Sequence, residues 1–210
     1  ELATLAAEMD PAALNGADCD GRTALHHAAV AGHEAALDAL LAAGARATTV
    51  DDSGFTPLHS AASAGHVGVC ARLIDAGADV NARTSDSRAA PLHYAASKGR
   101  TLVVELLLST HADGMLSDRG GATALHRACA TGQLEVVRIL SDQLPLSALS
   151  LPDRQGNTPL HHAAEEGRED ICSMLLDAGA AVDVRNGDGR APLEDCPSDI
   201  KARLLARSSE

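Results

Sequence analysis

Ten histidines and five cysteines in a chain of 210 residues supply enough imidazole and thiol for a zinc site, a nucleophilic triad or a redox pair. Spacing decides among these. Two ligands on one face of a helix need to stand four residues apart, whereas the neighbours His26-His27 and His161-His162 point about 100° away from each other on a helix. The cysteines Cys19, Cys70, Cys129, Cys172 and Cys196 are separated by 51, 59, 43 and 24 residues, which fits neither paired metal knuckles nor a disulfide framework. Their odd number leaves reduced thiols as the expectation. Cys70 and Cys172 share one phase of a recurring pattern and Cys129 and Cys196 fall at or beside an alanine pair, so four of the five read as small buried hydrophobes. Cys19 falls in a turn with only Arg22 near it to activate the thiol. No Gly-x-Ser-x-Gly elbow, phosphate-binding glycine loop, His-Glu-x-x-His pair or dinucleotide fingerprint is found. Neither a metal, a cofactor nor enzymatic activity is expected.

Five of the histidines obey a different rule. His26, His59, His93, His126 and His161 each close a string that reads Thr-Ala-Leu-His, Thr-Pro-Leu-His or Ala-Pro-Leu-His. The strings start at Thr23, Thr56, Ala90, Thr123 and Thr158, with a variant ending in Glu194 at Ala191, so the successive offsets are 33, 34, 33, 35 and 33. Nine residues after each of the first five starts stands Gly32, Gly65, Gly99, Gly132 or Gly167, and twenty-one residues after three of them Gly44, Gly77 or Gly179, each followed by alanine. A period with three phase-locked features is a structural repeat.

The elements that carry these residues follow from local chemistry. Threonine before proline or alanine is a helix start, since the hydroxyl caps an orphan N–H and proline suits the first turn. Leu25, Leu58, Leu92, Leu125, Leu160 and Leu193 then face a core, alanine pairs such as Ala28-Ala29 let helices approach, and the glycine nine residues on ends the helix. A second helix carries apolar residues fourteen, seventeen and eighteen past the start: Leu37, Leu40 and Leu41, then Cys70, Leu73 and Ile74, then Val104, Leu107 and Leu108. A glycine cap and an Asp/Asn/Gly-rich stretch such as Asp51-Asp52-Ser53-Gly54 turn the chain outward as a finger.

Departures from the pattern predict local deformation. The fourth repeat has Leu144 at the capping glycine and Ser141 at a core leucine, with Pro145 and Pro152 in a connection two residues longer, so its second helix is expected to be deformed. In the third repeat His111 replaces the capping glycine, and the finger Ser85-Asp86-Ser87-Arg88 has none. The charged stretch from Asp195 to Arg203 reads as a polar end cap, and Leu2 to Met9 as the second helix of a repeat whose first helix lies upstream.

Composition agrees with an array of small-faced helices. Apolar residues make up 45% of the chain but aromatic ones only 1%, namely Phe55 and Tyr94. The formal net charge of −12 opposes general binding to nucleic acid or to an anionic membrane. No apolar run approaches the roughly 20 residues of a membrane span, and no signal-peptide pattern opens the chain, so a soluble intracellular protein is expected.

The repeat resembles the ankyrin repeat family over nearly the whole chain. The resemblance implies an all-α solenoid of helix-turn-helix units with β-hairpin fingers, in one domain. Residues 1–17 form a partial repeat, residues 18–50, 51–84, 85–117, 118–152 and 153–185 five full ones, and residues 186–210 a capping repeat. It also implies that the motif histidines tie threonine and adjoining loops together by hydrogen bonds. Such a scaffold offers a long surface to a protein partner, lined by fingertips and by the end of each first helix. Those positions give Asp20, Arg22, Asp52, Phe55, Ser63, Tyr94 and Lys98, then Arg119, Glu165 and Glu166, as candidate partner-binding residues. Phe55 reads either as an interface hot spot or as a brace between its finger and the neighbouring repeat.

Within that family, runs such as Gly54-Phe55-Thr56-Pro57-Leu58-His59, Pro91-Leu92-His93-Tyr94-Ala95-Ala96-Ser97-Lys98 and Thr123-Ala124-Leu125-His126-Arg127-Ala128 are similar to the gankyrin-like proteasome regulatory subunits. That likeness implies a monomeric assembly chaperone, cytoplasmic and nuclear, which binds the C-terminal domain of a proteasomal ATPase subunit through paired charges. The alternative is an ankyrin regulator or adaptor that inhibits a kinase or binds a transcription factor.

Overall fold

The computed structural model describes residues 14–194 together with Cys196 and Lys201. The expected end cap from Asp195 to Arg203 and the helix from Leu2 to Met9 lie, apart from Cys196 and Lys201, outside the described residues. The described chain forms ten α-helices and one 3-10 helix, an all-α ankyrin repeat solenoid. First helices are α1 (Ala24–Ala31), α3 (Pro57–Ala64), α5 (Pro91–Ser97), α7 (Ala124–Thr131) and α9 (Pro159–Glu165). Each is followed by a second helix: α2 (Glu34–Ala42), α4 (Val67–Asp75), α6 (Thr101–Ser109), α8 (Leu134–Gln143) and α10 (Glu169–Asp177). Between the pairs the fingers are tight hairpin loops, and no extended strand pairing is present among the described residues beyond a bridge from Ala17 to Thr23.

Four of the five first helices start where a threonine holds extended backbone, as at Thr56 (φ −94°, ψ 165°), with Ala90 at that place in the third repeat, and most stop at a left-handed glycine such as Gly32 or Gly65. The core is aliphatic. The leucines three positions into the motif, the alanines that follow them and Leu37, Leu73, Leu107, Leu140 and Leu175 of the second helices are buried. The stripe expected on the second helices is narrower than the sequence suggests, because Leu41, Ile74, Leu108 and Leu176 are only half-buried.

The fourth repeat corrects an expectation. Its second helix, α8, is regular and ten residues long, one longer than the others. The chain leaves it through extended backbone at Leu144, and the additional residues form the 3-10 helix Leu146–Ser150, which buries Ala148 and Leu149. Two apolar side chains thus refill the space that a capping turn would close. In the third repeat, His111 and Arg88 adopt the left-handed conformation themselves (φ 69° and 55°). Ser141 leaves a trace of its missing leucine, because its hydroxyl is buried without a hydrogen-bond partner. Ser141→Ala removes that unpaired group and is expected to stabilise the protein by about 1 kcal/mol, raising the melting temperature by roughly 2–4 °C. An unchanged or lower midpoint in a thermal scan would contradict it.

Contacts group the chain into two compact units, Glu1–Ala95 with Leu102–Asp113, and Ala96–Thr101 with Gly114–Glu210.

Candidate partner-binding surface

Five of the six fingers are built around one short polar side chain, a carboxylate in four of them. In the first finger the Asp18 carboxylate accepts the backbone N–H groups of Asp20 (3.0 Å) and Arg22 (2.9 Å), and Asp51 does the same for Ser53 and Phe55. Asp118, Asp153 and Asn186 repeat the arrangement in the fourth, fifth and sixth fingers. A short polar side chain that satisfies two N–H groups lets a five-residue loop turn tightly without a strand ladder. The second carboxylate oxygen then takes a side-chain partner: His27 for Asp18, Arg22 for Asp51, Arg127 for Asp118 and His162 for Asp153. The N–H of Arg22, then His27 and the N–H of Asp20, hold the Asp18 carboxyl down to about 2. Burial raises the pKa of Asp118, yet Arg127 and the finger N–H groups outweigh it and keep the group below the usual carboxylate range.

Within each unit adjacent fingers are joined by a backbone bond. Asp52 N–H donates to Asp20 O (3.1 Å) and Ser85 N–H to Ser53 O (2.9 Å) in the first unit, Arg154 N–H to Gly120 O (3.0 Å) and Gly187 N–H to Gln155 O (2.7 Å) in the second. The motif histidines add a second tie. In His59, Nδ1 accepts the N–H of Thr56 (3.1 Å) and Nε2–H donates to the carbonyl of Ala89 (3.2 Å). His26, His126 and His161 reach the carbonyls of Phe55, Asn157 and Arg190 in the same way. Histidine here takes the place of the Glu or Gln that usually completes a reciprocal helix cap. Burial pushes His59 and His126 down to about 4, and it lowers His26 as well.

The candidate residues fall on this framework as follows. In the first unit Asp20, Asp52 and Arg22 are exposed and Ser63 is half-buried. Phe55 and Tyr94 are half-buried and in contact, with ring centroids 4.9 Å apart, and the phenol oxygen lies 3.2 Å from Ser87 Oγ. That contact ties the second finger to α5. In the second unit Lys98, Arg119, Glu165 and Glu166 are exposed. Glu165 borders a cleft of about 430 Å3 between the last two fingers and α9. Arg22 is committed to a buried carboxylate, that of Asp51 at 3.3 Å.

The buried finger carboxylates Asp51 and Asp118, and the cation Arg127, were not among the sequence-derived candidates. A usable signal existed: aspartate opens the finger at Asp18, Asp118 and Asp153, and His27, Arg127 and His162 each follow nine residues later. Four cysteines are buried and Cys19 is exposed; burial pushes the Cys70 and Cys172 thiols up to about 12, and Cys129 up as well. Among the described residues no group of three His, Cys, Asp or Glu side chains is placed to hold a metal ion. No helix among them is long and apolar enough to cross a membrane.

The chain matches the family described as Ankyrin repeats (3 copies) over residues 3–84 and 92–188. Among solved structures it is similar to the ankyrin repeat domain of Bcl-3, described as a unique member of the IkappaB protein family. The two share 25% sequence identity with a TM-score of 0.82, over 92% of this chain and 86% of that one. No curated protein sequence matches it.

Proposed function

The chain belongs to the ankyrin repeat family, and from that premise we propose a protein-binding scaffold, not an enzyme, that grips its partner through charges of both signs on the fingertips and first-helix ends. One observation carries the reading. Each described motif leucine and the alanines behind it are buried, while Asp20, Asp52, Lys98, Arg119, Glu165 and Glu166 stand exposed at fingertips and first-helix ends. Packing accounts for the first set and leaves the second facing solvent. In a molecule of net charge −12, exposed cations at those positions also set it apart from a uniformly acidic surface.

For the partner, the gankyrin-like runs in the sequence support the C-terminal domain of a proteasomal ATPase, with a cytoplasmic and nuclear location and a monomeric chain. The second reading is a regulator or adaptor that inhibits a kinase or binds a transcription factor, and the likeness to the Bcl-3 ankyrin domain is the observation on its side.

Asp52→Lys and Lys98→Glu test both levels. Each reverses an exposed charge with no side-chain bond among the described residues, so melting temperatures should stay within about 2 °C of wild type. Affinity for the ATPase domain, measured by calorimetry, should fall about tenfold or more for each reversal. Arg22→Glu is the less clean probe, because it also strips the counter-ion from buried Asp51. Wild-type affinity in both variants removes the charge-groove reading. A wild-type chain that ignores the ATPase domain but retains a kinase or a transcription factor replaces the first partner with the second.

A further inference from the structure

The cleft of about 430 Å3 in the second unit has walls from α9 and the last two fingers. Glu165 stands on the helix side, Asp188 at the fingertip, and Arg190 follows two residues later at the finger base. Two carboxylates against one guanidinium leave these charged walls at −1. Neither Glu165 nor Asp188 enters an ion pair or a side-chain hydrogen bond among the described residues. Three amides also line the space, and they are already oriented. Asn186 Nδ2 donates to Asn157 Oδ1 (2.8 Å), and Asn157 Nδ2 to Gln155 Oε1 (3.4 Å). Each of those two amide oxygens accepts one of these bonds and has a second lone pair.

The neighbouring cleft of about 400 Å3, between the fourth and fifth fingers, is different in kind. Its carboxylates, Asp118 and Asp153, are consumed by Arg127 and His162. The cleft at the last finger, by contrast, presents Glu165 and Asp188 with no ion pair among the described residues, next to amide acceptors.

We propose that this cleft receives an arginine side chain from the partner protein, an inference that rests on the scaffold reading and names the chemistry of one of its subsites. A planar guanidinium carries five N–H donors, enough to serve carboxylates and an amide oxygen at once. A lysine ammonium is a compact charge with three donors and lacks the planar fork that pairs with a carboxylate through two bonds. An acidic side chain would face Glu165 and Asp188, and a neutral one would leave both without a counter-ion.

The test uses the full chain, isotope-labelled for NMR, titrated with the blocked tripeptide acetyl-Gly-Arg-Gly-amide and with its lysine and citrulline counterparts. Citrulline keeps the shape of arginine and removes its charge. Side-chain amide signals of Gln155 and Asn157, with backbone signals from 187 to 190, are expected to move with the arginine peptide. The lysine peptide should bind about threefold more weakly or worse, and the citrulline peptide about tenfold. The double variant Glu165→Gln/Asp188→Asn, with both changes at exposed positions, should lose about tenfold in affinity for the arginine peptide with an unchanged melting temperature. The inference is overturned by wild-type affinity in that variant, by equal binding of arginine and citrulline, or by no shift at about 10 mM peptide, which would saturate a millimolar site. Asp52→Lys, in the other unit, leaves this cleft intact. A partner that responds to Asp52→Lys while the tripeptide does not bind removes the arginine subsite and leaves the scaffold reading standing.

Discussion

Acidifying the solution from pH 7 to pH 4.5 is expected to destabilise this protein strongly, before most of its carboxylates titrate. Buried His59 and His126 have their pKa values pushed down from 6.5 to about 4, chiefly by loss of solvent around the ring. In both, Nδ1 accepts a threonine N–H, so only the neutral tautomer with hydrogen on Nε2 fits. Below pH 6.5 the unfolded chain binds protons that the folded chain refuses until about pH 4. Stability is therefore complete above 6.5 and is lost progressively between 6.5 and 4. Each pKa unit is worth about 1.4 kcal/mol, which puts the loss at about 3 kcal/mol per histidine, to an order of magnitude, once the lower pKa is passed. The Asp18 carboxyl, held at about 2, acts in the same direction but gives up its contribution only at lower pH. Urea unfolding at pH 7, 6 and 5 measures the slope. The double variant His59→Gln/His126→Gln, whose amides can still accept from threonine and donate to the next carbonyl, should flatten it. Stability that stays constant from pH 7 to pH 5 in the wild type would remove this account of the buried imidazoles.

Gly54→Ala should cost about 2–4 kcal/mol, the sum of left-handed strain and a lost hydrogen bond. Gly54 has φ +77°, and a Cβ there would stand 2.5 Å from the backbone nitrogen of Ser85. That nitrogen carries the N–H that bonds Ser53 O and joins the second finger to the third. The methyl group therefore cannot be accommodated by a side-chain rotation. Gly44 is the control, with φ +98° and nothing within 4 Å of its would-be Cβ, so Gly44→Ala pays the strain alone. Its cost should be about 1–2 kcal/mol. Chemical denaturation of the two variants separates the terms, and equal losses would show that the finger junction adds nothing to the fold's stability.

Much of the fold can be read from the sequence because it is set by contacts close in the chain. Threonine caps a helix whose histidine is three residues away, a glycine ends that helix within ten residues, and leucine phase assigns the buried face. Even the irregular third repeat is local: His111 and Arg88 take up the left-handed backbone that glycine holds elsewhere. The fourth repeat marks the limit. Leu144 and Ser141 announce that the pattern fails, but the sequence could not say that Ala148 and Leu149 would fold back as a 3-10 helix and fill the core. That outcome depends on volume left by residues elsewhere in the stack.

The candidate surface divides along the same line. Exposure of Asp20, Asp52, Lys98, Arg119, Glu165 and Glu166 follows from repeat phase, since whatever is not the leucine or alanine face of a short helix, or the base of a finger, meets solvent. Which charges are already spent does not follow from phase. Arg22 is drawn to Asp51 from 29 residues away, and Asp51 needs it because stacking has buried the carboxylate. Glu165 and Asp188 come to border one cleft because α9 and the last finger belong to neighbouring repeats brought side by side. The sequence by itself determined the repeat, its helices and the positions open to a partner, since these rest on interactions a few residues long. Only the tertiary structure decided that Arg22 is paired and that Glu165 and Asp188 face one cleft, because these depend on distances that stacking sets between residues about one repeat apart.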